Sequence, residues 1–248
     1  MKGKIRKLVP FLLMAIANQS FALGIDKLYA ELDASKGFKS VSTLVVFNDE
    51  SKETVFVTAR ALKWSLDKDG KYETESTQDL SIYPSVQKIR PGENGAFKIR
   101  YNGSPVKSEA NYRIYFSQIK LPNAQSIPDG NLSKATEEVE QSVLVGLAMT
   151  VPVYVSDFSV KSDLRKQVTA TYSIKDGKVM LDVINHGLRH ITIKKYRVNG
   201  LDKQALGVVL AEGERLFQIE SPEPVKRLDL EIASRDDSIT LQATEVQQ

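Results

Sequence analysis

The sequence has no cysteine, and its 248 residues include only two histidines and one tryptophan. Without thiols the chain can form neither disulfides nor thiolate metal sites, so its stability has to come from a buried core. A nucleophilic triad or a histidine-rich metal site has only His186 and His190 to draw on, and Gly187 between them indicates a strand and a turn. We therefore expect a protein that is not an enzyme and that uses no cofactor and no metal.

The sequence also lacks helical periodicity in its apolar residues. Apolar residues occur in short strand-like runs, separated by turn dipeptides such as Asp69-Gly70 and Asp176-Gly177. Besides the run at 142–155, strands are predicted at 44–47, 55–64, 80–83, 95–101, 112–121, 167–174, 179–184, 190–198, 207–210, 215–219, 228–232 and 238–246. Strands at this spacing without intervening helices are typical of antiparallel sandwiches, so the predicted fold class is all-β.

The first 22 residues have the pattern of a cleaved signal peptide. An apolar stretch over 8–17 is followed by Ser20-Phe21-Ala22, which provides small residues where a signal peptidase acts, and it is preceded by four basic residues, Lys2, Lys4, Arg6 and Lys7. Ten apolar residues are too few to span a hydrocarbon core of roughly 30 Å, which disfavours a membrane anchor. The mature chain is predicted to be secreted and to begin near Leu23.

Removal of this segment changes the charge balance. The full chain has 34 Lys and Arg against 31 Asp and Glu, and the first 22 residues carry four of the basic residues and no acidic one. The mature chain is thus nearly neutral, with 30 basic and 31 acidic residues. We expect neither a nucleic-acid partner nor membrane insertion after signal removal.

The predicted strands fall into two sets that meet near residue 156. The junction is only a few residues long, so two β-domains are expected to sit at a fairly fixed angle with a cleft between them. The predicted boundaries are 23–155 for the first domain and 156–248 for a smaller β-sandwich. A long connection at 123–140 leads into the last strand of the first set, and connections of this length are usually mobile, functional or both.

An uncharged run lies near the middle of the sequence. From Gln141 to Ser156 there is no Asp, Glu, Lys or Arg, although these residues make up 26% of the chain. Alternation along a strand predicts one face with large side chains, namely Val143, Val145, Leu147, Met149, Val151 and Val153. The opposite face is either covered by the second domain or the long connection, or the strand lies near a sheet edge and is offered to a partner by strand addition. Pro152 is compatible with an edge.

A series of short motifs precedes this run. In order they are Phe47-Asn48, Leu80-Ser81-Ile82-Tyr83-Pro84, Ile89-Arg90-Pro91-Gly92-Glu93, Glu109, Tyr112-Arg113-Ile114-Tyr115-Phe116 and Leu121-Pro122. Their order and spacing over about residues 24–155 resemble the PapD-like periplasmic chaperones of the bacterial chaperone-usher pathway. The segment at 112–116 is closer to the chaperones of alternative fimbriae than to those of P or type 1 pili.

The resemblance implies two immunoglobulin-like β-sandwich domains in a boomerang arrangement with a cleft between them. It also implies a periplasmic chaperone that binds, folds and caps fimbrial (pilin) subunits by donor-strand complementation, without ATP, and delivers them to an outer-membrane usher. The uncharged run would be the donor strand, through which the free protein could also self-associate. The implied subunit-binding residues are Val143, Val145, Leu147, Met149 and Val151.

The resemblance extends to an anchor for the subunit's terminal carboxylate, but with a departure. The family uses an Arg on the first strand and a Lys late on the donor strand, whereas this chain offers Lys27 and has Thr150 near the place of the Lys. Arg113 is the predicted substitute, because the start of its strand lies opposite the end of the donor strand in an antiparallel pair. An ion pair that holds the two domains together is the alternative role for Arg113.

A secreted structural or adhesive β-sandwich protein of a fimbrial system is the alternative function. In that case the uncharged run is interdomain core, and the second sandwich binds a host ligand. Cell fractionation separates the two hypotheses, because a chaperone stays in the periplasm and an adhesin appears at the cell surface.

Overall fold

The computed structural model of the chain describes residues 23–49, 54–119, 145–221 and 223–246. The predicted signal peptide, the predicted connection at 123–140 and Val143 therefore lie outside the described residues. Within the described ranges the helices are a short 3-10 segment, Ala34–Lys39, and a four-residue helix α1, Leu164–Gln167. No helix in these ranges is long and apolar enough to cross a membrane.

Two sheets build the first sandwich. One sheet has the strand order β1 (Leu23–Ile25), β3 (Val41–Asn48), β8 (Asn94–Tyr101), β6 (Leu80–Tyr83). The other has the order β2 (Ala30–Asp33), β10 (Val145–Ser156), β9 (Ala110–Ile119), β4 (Val55–Leu66), β5 (Tyr72–Ser76), with β7 (Val86–Ile89) paired to β4. Every second residue of β8 is buried, as expected for a strand with one face on a core. Phe97 and Phe116 meet edge to face across that core, with ring centroids 5.1 Å apart.

The second sandwich is built in the same way. One sheet has the order β16 (Gly213–Ile219), β12 (Lys178–Asn185), β11 (Val168–Lys175), β19 (Thr244–Glu245). The other has the order β14 (Leu201–Lys203), β13 (Ile191–Val198), β17 (Leu228–Ala233), β18 (Ser238–Gln242), with β15 (Gly207–Val209) paired to β13. A separate buried cluster that includes Leu181, Ile193 and Leu230 fills the space between these sheets.

The turn dipeptides predicted from the sequence form hairpins. Asp176 and Gly177, with φ values of 52° and 73°, connect β11 to β12 in a tight turn. Both central residues of such a turn need positive φ, which is why an Asp-Gly pair stands there. Asp69-Gly70 lies in the connection between β4 and β5, and Gly70 has φ 87°.

The predicted all-β fold class with two β-sandwiches is confirmed, and each predicted strand overlaps an observed one. The prediction missed β1, β2, β5, β7 and β14, which have only three to five residues each. All five residues of β5 are exposed, so no buried stripe identifies it in the sequence. Its pairing with β4 is what makes it a strand.

Candidate functional site

One edge of β10 is open over two thirds of its length. β9 pairs with β10 antiparallel from Val145 to Val155. On the other side β2 pairs with it in parallel, but only from Val153 onward. Along the edge from Val145 to Pro152, the described part of the chain supplies no partner strand. An open strand edge presents backbone donors and acceptors that another chain can pair with.

A β-bulge interrupts the outer part of β10. The register against β9 shifts by one residue between Val145 and Ala148. Such a bulge reverses the facing of the residues on its far side. A run of uniformly apolar residues contains no signal for the extra residue.

Burial changes steeply along β10. The Leu147 residue is 37% exposed, Met149 is half-buried against the first core, and Val151 is 2% exposed. Val153 is completely buried. Of the predicted donor residues whose side chains are described, Leu147 is thus the one most open to a partner, whereas Val151 belongs to the first sandwich's own core.

Arg113 lies on the outer face of the same sheet, beside the open edge. It sits opposite Pro152, and its Nη1 donates a hydrogen bond to Thr150 Oγ1 at 3.2 Å. The guanidinium stacks over Trp64 at 4.4 Å and over Tyr72 at 5.2 Å. Its Nε is buried without a hydrogen-bond partner. The aromatic rings fix the position of this cation while several of its donors remain unused, as a carboxylate receptor requires.

The alternative role for Arg113, an interdomain ion pair, is not what its contacts show. No carboxylate of the described ranges lies within ion-pair distance of it. The carboxylate contacts that cross between the sandwiches join other residues of the described ranges, Glu109 with His190 and Glu31 with Arg235.

The two predicted anchors do not come together. Lys27 lies between β1 and β2, and its Nζ donates a hydrogen bond to the carbonyl oxygen of Thr43, which belongs to the other sheet of the first sandwich. Tyr29, two residues further along the chain, makes an edge contact with the ring of Tyr154 on β10, with the ring centroids 6.4 Å apart. The geometry therefore favours Arg113 over Lys27 as a candidate anchor.

A buried polar contact joins the two sandwiches behind this site. Glu109 Oε1 accepts a hydrogen bond from the backbone N–H of His190 at 3.0 Å and lies 2.7 Å from its Nδ1. The backbone N–H of Glu109 donates to the carbonyl of Leu188 at 2.9 Å. The ring of Tyr154 stacks on His190 at 3.7 Å, and burial, with the Glu109 charge, raises the pKa of the Tyr154 hydroxyl. His190 is thus an interface residue.

A second set of contacts fixes the domain junction. Asp33 accepts hydrogen bonds from the backbone and hydroxyl of Ser35 and from the backbone N–H of Phe158. Burial raises the pKa of Asp33, but these hydrogen bonds outweigh it and hold that pKa below its usual value. Arg235 pairs with Glu31 at 3.2 Å and stacks on Phe158. Contacts this close support a fixed angle between the sandwiches.

A pocket of about 470 Å³ opens in the cleft between the sandwiches. The first sandwich contributes Glu31 and otherwise mostly apolar side chains, and the second sandwich contributes both polar and apolar ones. The walls include Leu28, Tyr29, Pro152, Tyr154, Lys194 and Arg235.

Sequence reasoning missed the aromatic residues around Arg113. Trp64 is the chain's single tryptophan, and it lies near the end of β4. It packs in a cluster with Tyr154 and Leu210 that spans both sandwiches. A lone large aromatic residue at the end of a strand was the available signal, but the sequence does not show what it packs against.

No protein-family model matches the chain, and no curated protein matches its sequence. Solved structures do match its fold. A chain of the CsuC–CsuE chaperone–tip adhesion subunit pre-assembly complex from archaic Csu pili of Acinetobacter baumannii is 16% identical, with a TM-score of 0.60 over 91% of this chain and 100% of that one.

Two further solved structures agree. The Escherichia coli chaperone DraB is 14% identical, with a TM-score of 0.56 over 90% of this chain and 97% of that one. A chain of the Salmonella enterica SafA pilin complex with the SafB chaperone is 12% identical, with a TM-score of 0.58 over 91% and 98%. At these identities the likeness establishes the fold. The chain therefore has the two-domain β-sandwich fold of the PapD-like chaperones of chaperone-usher pili, in agreement with the motifs in its sequence.

Proposed function

We propose that the protein is a periplasmic chaperone that binds, folds and caps fimbrial subunits by donor-strand complementation and delivers them to an outer-membrane usher. The observation that carries the proposal is the open edge of β10 from Val145 to Pro152, with Leu147 exposed on it. The similar solved structures include a chaperone bound to a tip adhesion subunit and a chaperone bound to a pilin. Strand addition needs no ATP, since backbone pairing and apolar burial supply the binding energy.

The subunit would lie along β10 from Val145 to Pro152, the outer half of the strand. Its backbone would pair with the free N–H and C=O groups of the edge, and its groove would take Leu147 and the apolar residues that precede it. Met149 and Val151 would act by keeping β10 fixed to the first core, since both pack there. Predicted donor residues Val143 and Val145 belong to the same segment and stay part of the proposal.

Arg113 is the proposed anchor for the subunit's terminal carboxylate. Its guanidinium is held by Trp64 and Tyr72 and makes one side-chain hydrogen bond, to Thr150. The hydroxyl of Thr150 cannot replace the cation that the resemblance places near this position, so Arg113 would supply the charge. A guanidinium can bind a carboxylate through two parallel hydrogen bonds, which fixes its orientation as well as its position.

The proposal is tested by co-expression with pilin subunits encoded beside the gene. Leu147→Asp places a charge in the outer half of β10, where Leu147 is exposed, and should abolish co-purification of the subunit. Leu147→Met is the matched control and should retain it, because the apolar contact is kept. Thermal unfolding verifies that both variants fold like the wild type.

Subunit binding by Leu147→Asp at the wild-type level would contradict the proposal. Fractionation adds a second measurement, since the chaperone should remain in the periplasm, whereas surface exposure would favour the structural or adhesive alternative. The division into domains at 155/156 stays a prediction, which limited proteolysis of the purified chain would test.

A further inference from the structure

The side chains of β10 do not by themselves define one register for an added strand. From Val145 to Pro152 there is no charged residue, and Thr150 is the only residue with a polar side chain. Side chains alternate along a strand with a period of two, so a partner that slides by two residues presents the same face to β10. A feature of the backbone is therefore needed to hold a bound strand in one position.

The hydrogen bonds of the neighbouring strands show which residues of β10 face the open edge. On β4, the N–H of Ala59 donates to the carbonyl of Ser85, beside β7, at 2.8 Å, and it therefore points away from β9. Successive residues of an antiparallel strand point to opposite sides, so Thr58 points toward β9, where Ser117 is its partner. The hydroxyl of Thr58 also donates to the carbonyl of Ser117 at 3.3 Å, which agrees with this assignment.

The same alternation extends from β9 to β10. Because the backbone groups of Ser117 point toward β4, those of Phe116 point toward β10. Phe116 stands opposite Met149, whose backbone groups accordingly point back toward β9. Alternation along β10 then directs the backbone groups of Thr150 and Pro152 away from β9, toward the open edge.

Pro152 ends the series of donors on this edge. Proline has no backbone N–H, so the N–H of Thr150 is the last donor that the described edge offers before β2 joins at Val153. The pairing with β9 loses nothing, since this position of Pro152 points away from β9, as strands that contain proline require. The place beside Pro152 is not filled by β2, because Leu28 and Tyr29, which precede it, belong to no strand and are 90% and 54% exposed.

We propose that Pro152 is a positioning residue that fixes the register of a bound subunit strand. A strand that pairs along the outer half receives hydrogen bonds from β10 as far as Thr150. If it slides two residues further toward β2, one of its carbonyls meets Pro152, where there is no donor. The loss of one hydrogen bond in this way lowers the population of the slid register about tenfold. This inference rests on the proposed function and holds whichever way the added strand runs.

The test reads the register by disulfide cross-linking in purified complexes with the co-expressed subunit. The chain has no cysteine, so Ala148→Cys gives it a single thiol, on an exposed residue of the outer half. Cysteines placed one at a time along the subunit segment that pairs with β10 report which residue lies opposite, because a disulfide needs Cα atoms about 4.4–6.8 Å apart. With Pro152 in place, we expect one position to form most of the disulfide. Pro152→Ala supplies the missing N–H, so a second position, two residues along the subunit, should then form a comparable amount.

Pro105→Ala is the matched control, because Pro105 is exposed in the connection between β8 and β9, and its replacement should leave the single position unchanged. The same single position in Pro152→Ala and in the chain with Pro152 overturns this inference. Several positions in the chain with Pro152 also overturn it, and that result needs no substitution of the proline. In both cases the proposed function stands if Leu147→Asp still abolishes co-purification. A subunit that co-purifies but forms no disulfide at any position does not lie along β10, which overturns the proposed function as well.

Discussion

Two parts of β10, referred to as its outer and inner half, are both uncharged but have opposite environments. In the outer half, Val145 to Pro152, one edge has no partner strand among the described residues, and Leu147 is exposed. In the inner half, Val153 to Ser156, β2 closes the edge and Val153 and Val155 are completely buried. Hydrophobicity therefore does not decide which part of a strand is available to a partner; the reach of the neighbouring strand does.

The inner half also connects the molecule's two sandwiches. Tyr154 stacks on His190 and packs with Trp64 and Leu210. Asp33, opposite Ser156, holds the chain that enters the second sandwich through Phe158. One strand thus has a rigid half that sets the domain junction and an open half that faces a partner. The predictions below separate these roles.

The largest difference should appear when the same charge is placed in each half. Val153→Asp puts a carboxylate into the first core, where it has no partner, and should destabilise the fold by more than about 3 kcal/mol. Leu147→Asp should change stability by no more than about 0.5 kcal/mol, because the side chain is exposed. Urea unfolding measures both, and equal losses would remove the contrast between the halves.

The cation beside the outer half should matter for binding and little for stability. Arg113→Met should raise the dissociation rate of a bound subunit about a hundredfold, because the carboxylate loses a charged, bidentate partner. Arg60→Met is a matched control, since Arg60 also stacks on an aromatic ring of the same sheet, that of Tyr115, at 4.6 Å. Similar effects of the two substitutions on dissociation would argue against an anchor role for Arg113.

The contact between Glu109 and His190, behind the inner half, should restrict the angle between the two domains. Glu109→Ala leaves the backbone N–H of His190 without its acceptor and should cost about 2 kcal/mol of unfolding free energy. Glu109→Gln keeps an acceptor oxygen and should cost less. Small-angle scattering should show a wider range of interdomain angles for the alanine variant only. An unchanged scattering profile would mean that the remaining contacts suffice to fix the angle.

The smallest expected effect concerns pH. Because the native pKa of Asp33 lies below its unfolded value of about 3.9, its contribution is present above pH 4 and is lost as pH falls through the native pKa. Asp33→Asn keeps an acceptor but does not titrate. Its unfolding free energy should therefore fall less than that of the wild type between pH 5 and pH 3. The same fall in both proteins would show that other carboxylates account for the acid sensitivity.

The strands of both cores could be predicted because their pattern is local. Alternating apolar residues predicted β8 and β12, and the Asp-Gly dipeptides predicted the hairpins at Gly70 and Gly177. The strands that were missed, such as β5, are defined by pairing with a neighbour and have no buried stripe of their own. Pairing between segments far apart in sequence leaves little trace in either segment.

The candidate site was only partly predictable. The uncharged run and Arg113 were evident, since a run without charge and a cation within a strand motif are visible in the sequence. The bulge between Val145 and Ala148 was not, because an additional residue among apolar neighbours leaves the pattern unchanged. The partner of Glu109, His190, lies in the second sandwich, and their meeting depends on the domain angle.

By itself the sequence determined the longer core strands, the turns and a central strand without charge, since each follows from side chains close to one another along the chain. Only the tertiary structure decided that β10 is open in its outer half and closed in its inner half. Both halves are equally apolar, and the difference arises because β2 begins its pairing at Ala30 and extends no further. The physical reason is that a strand edge is satisfied by a neighbour's backbone, which the strand's own residues do not specify.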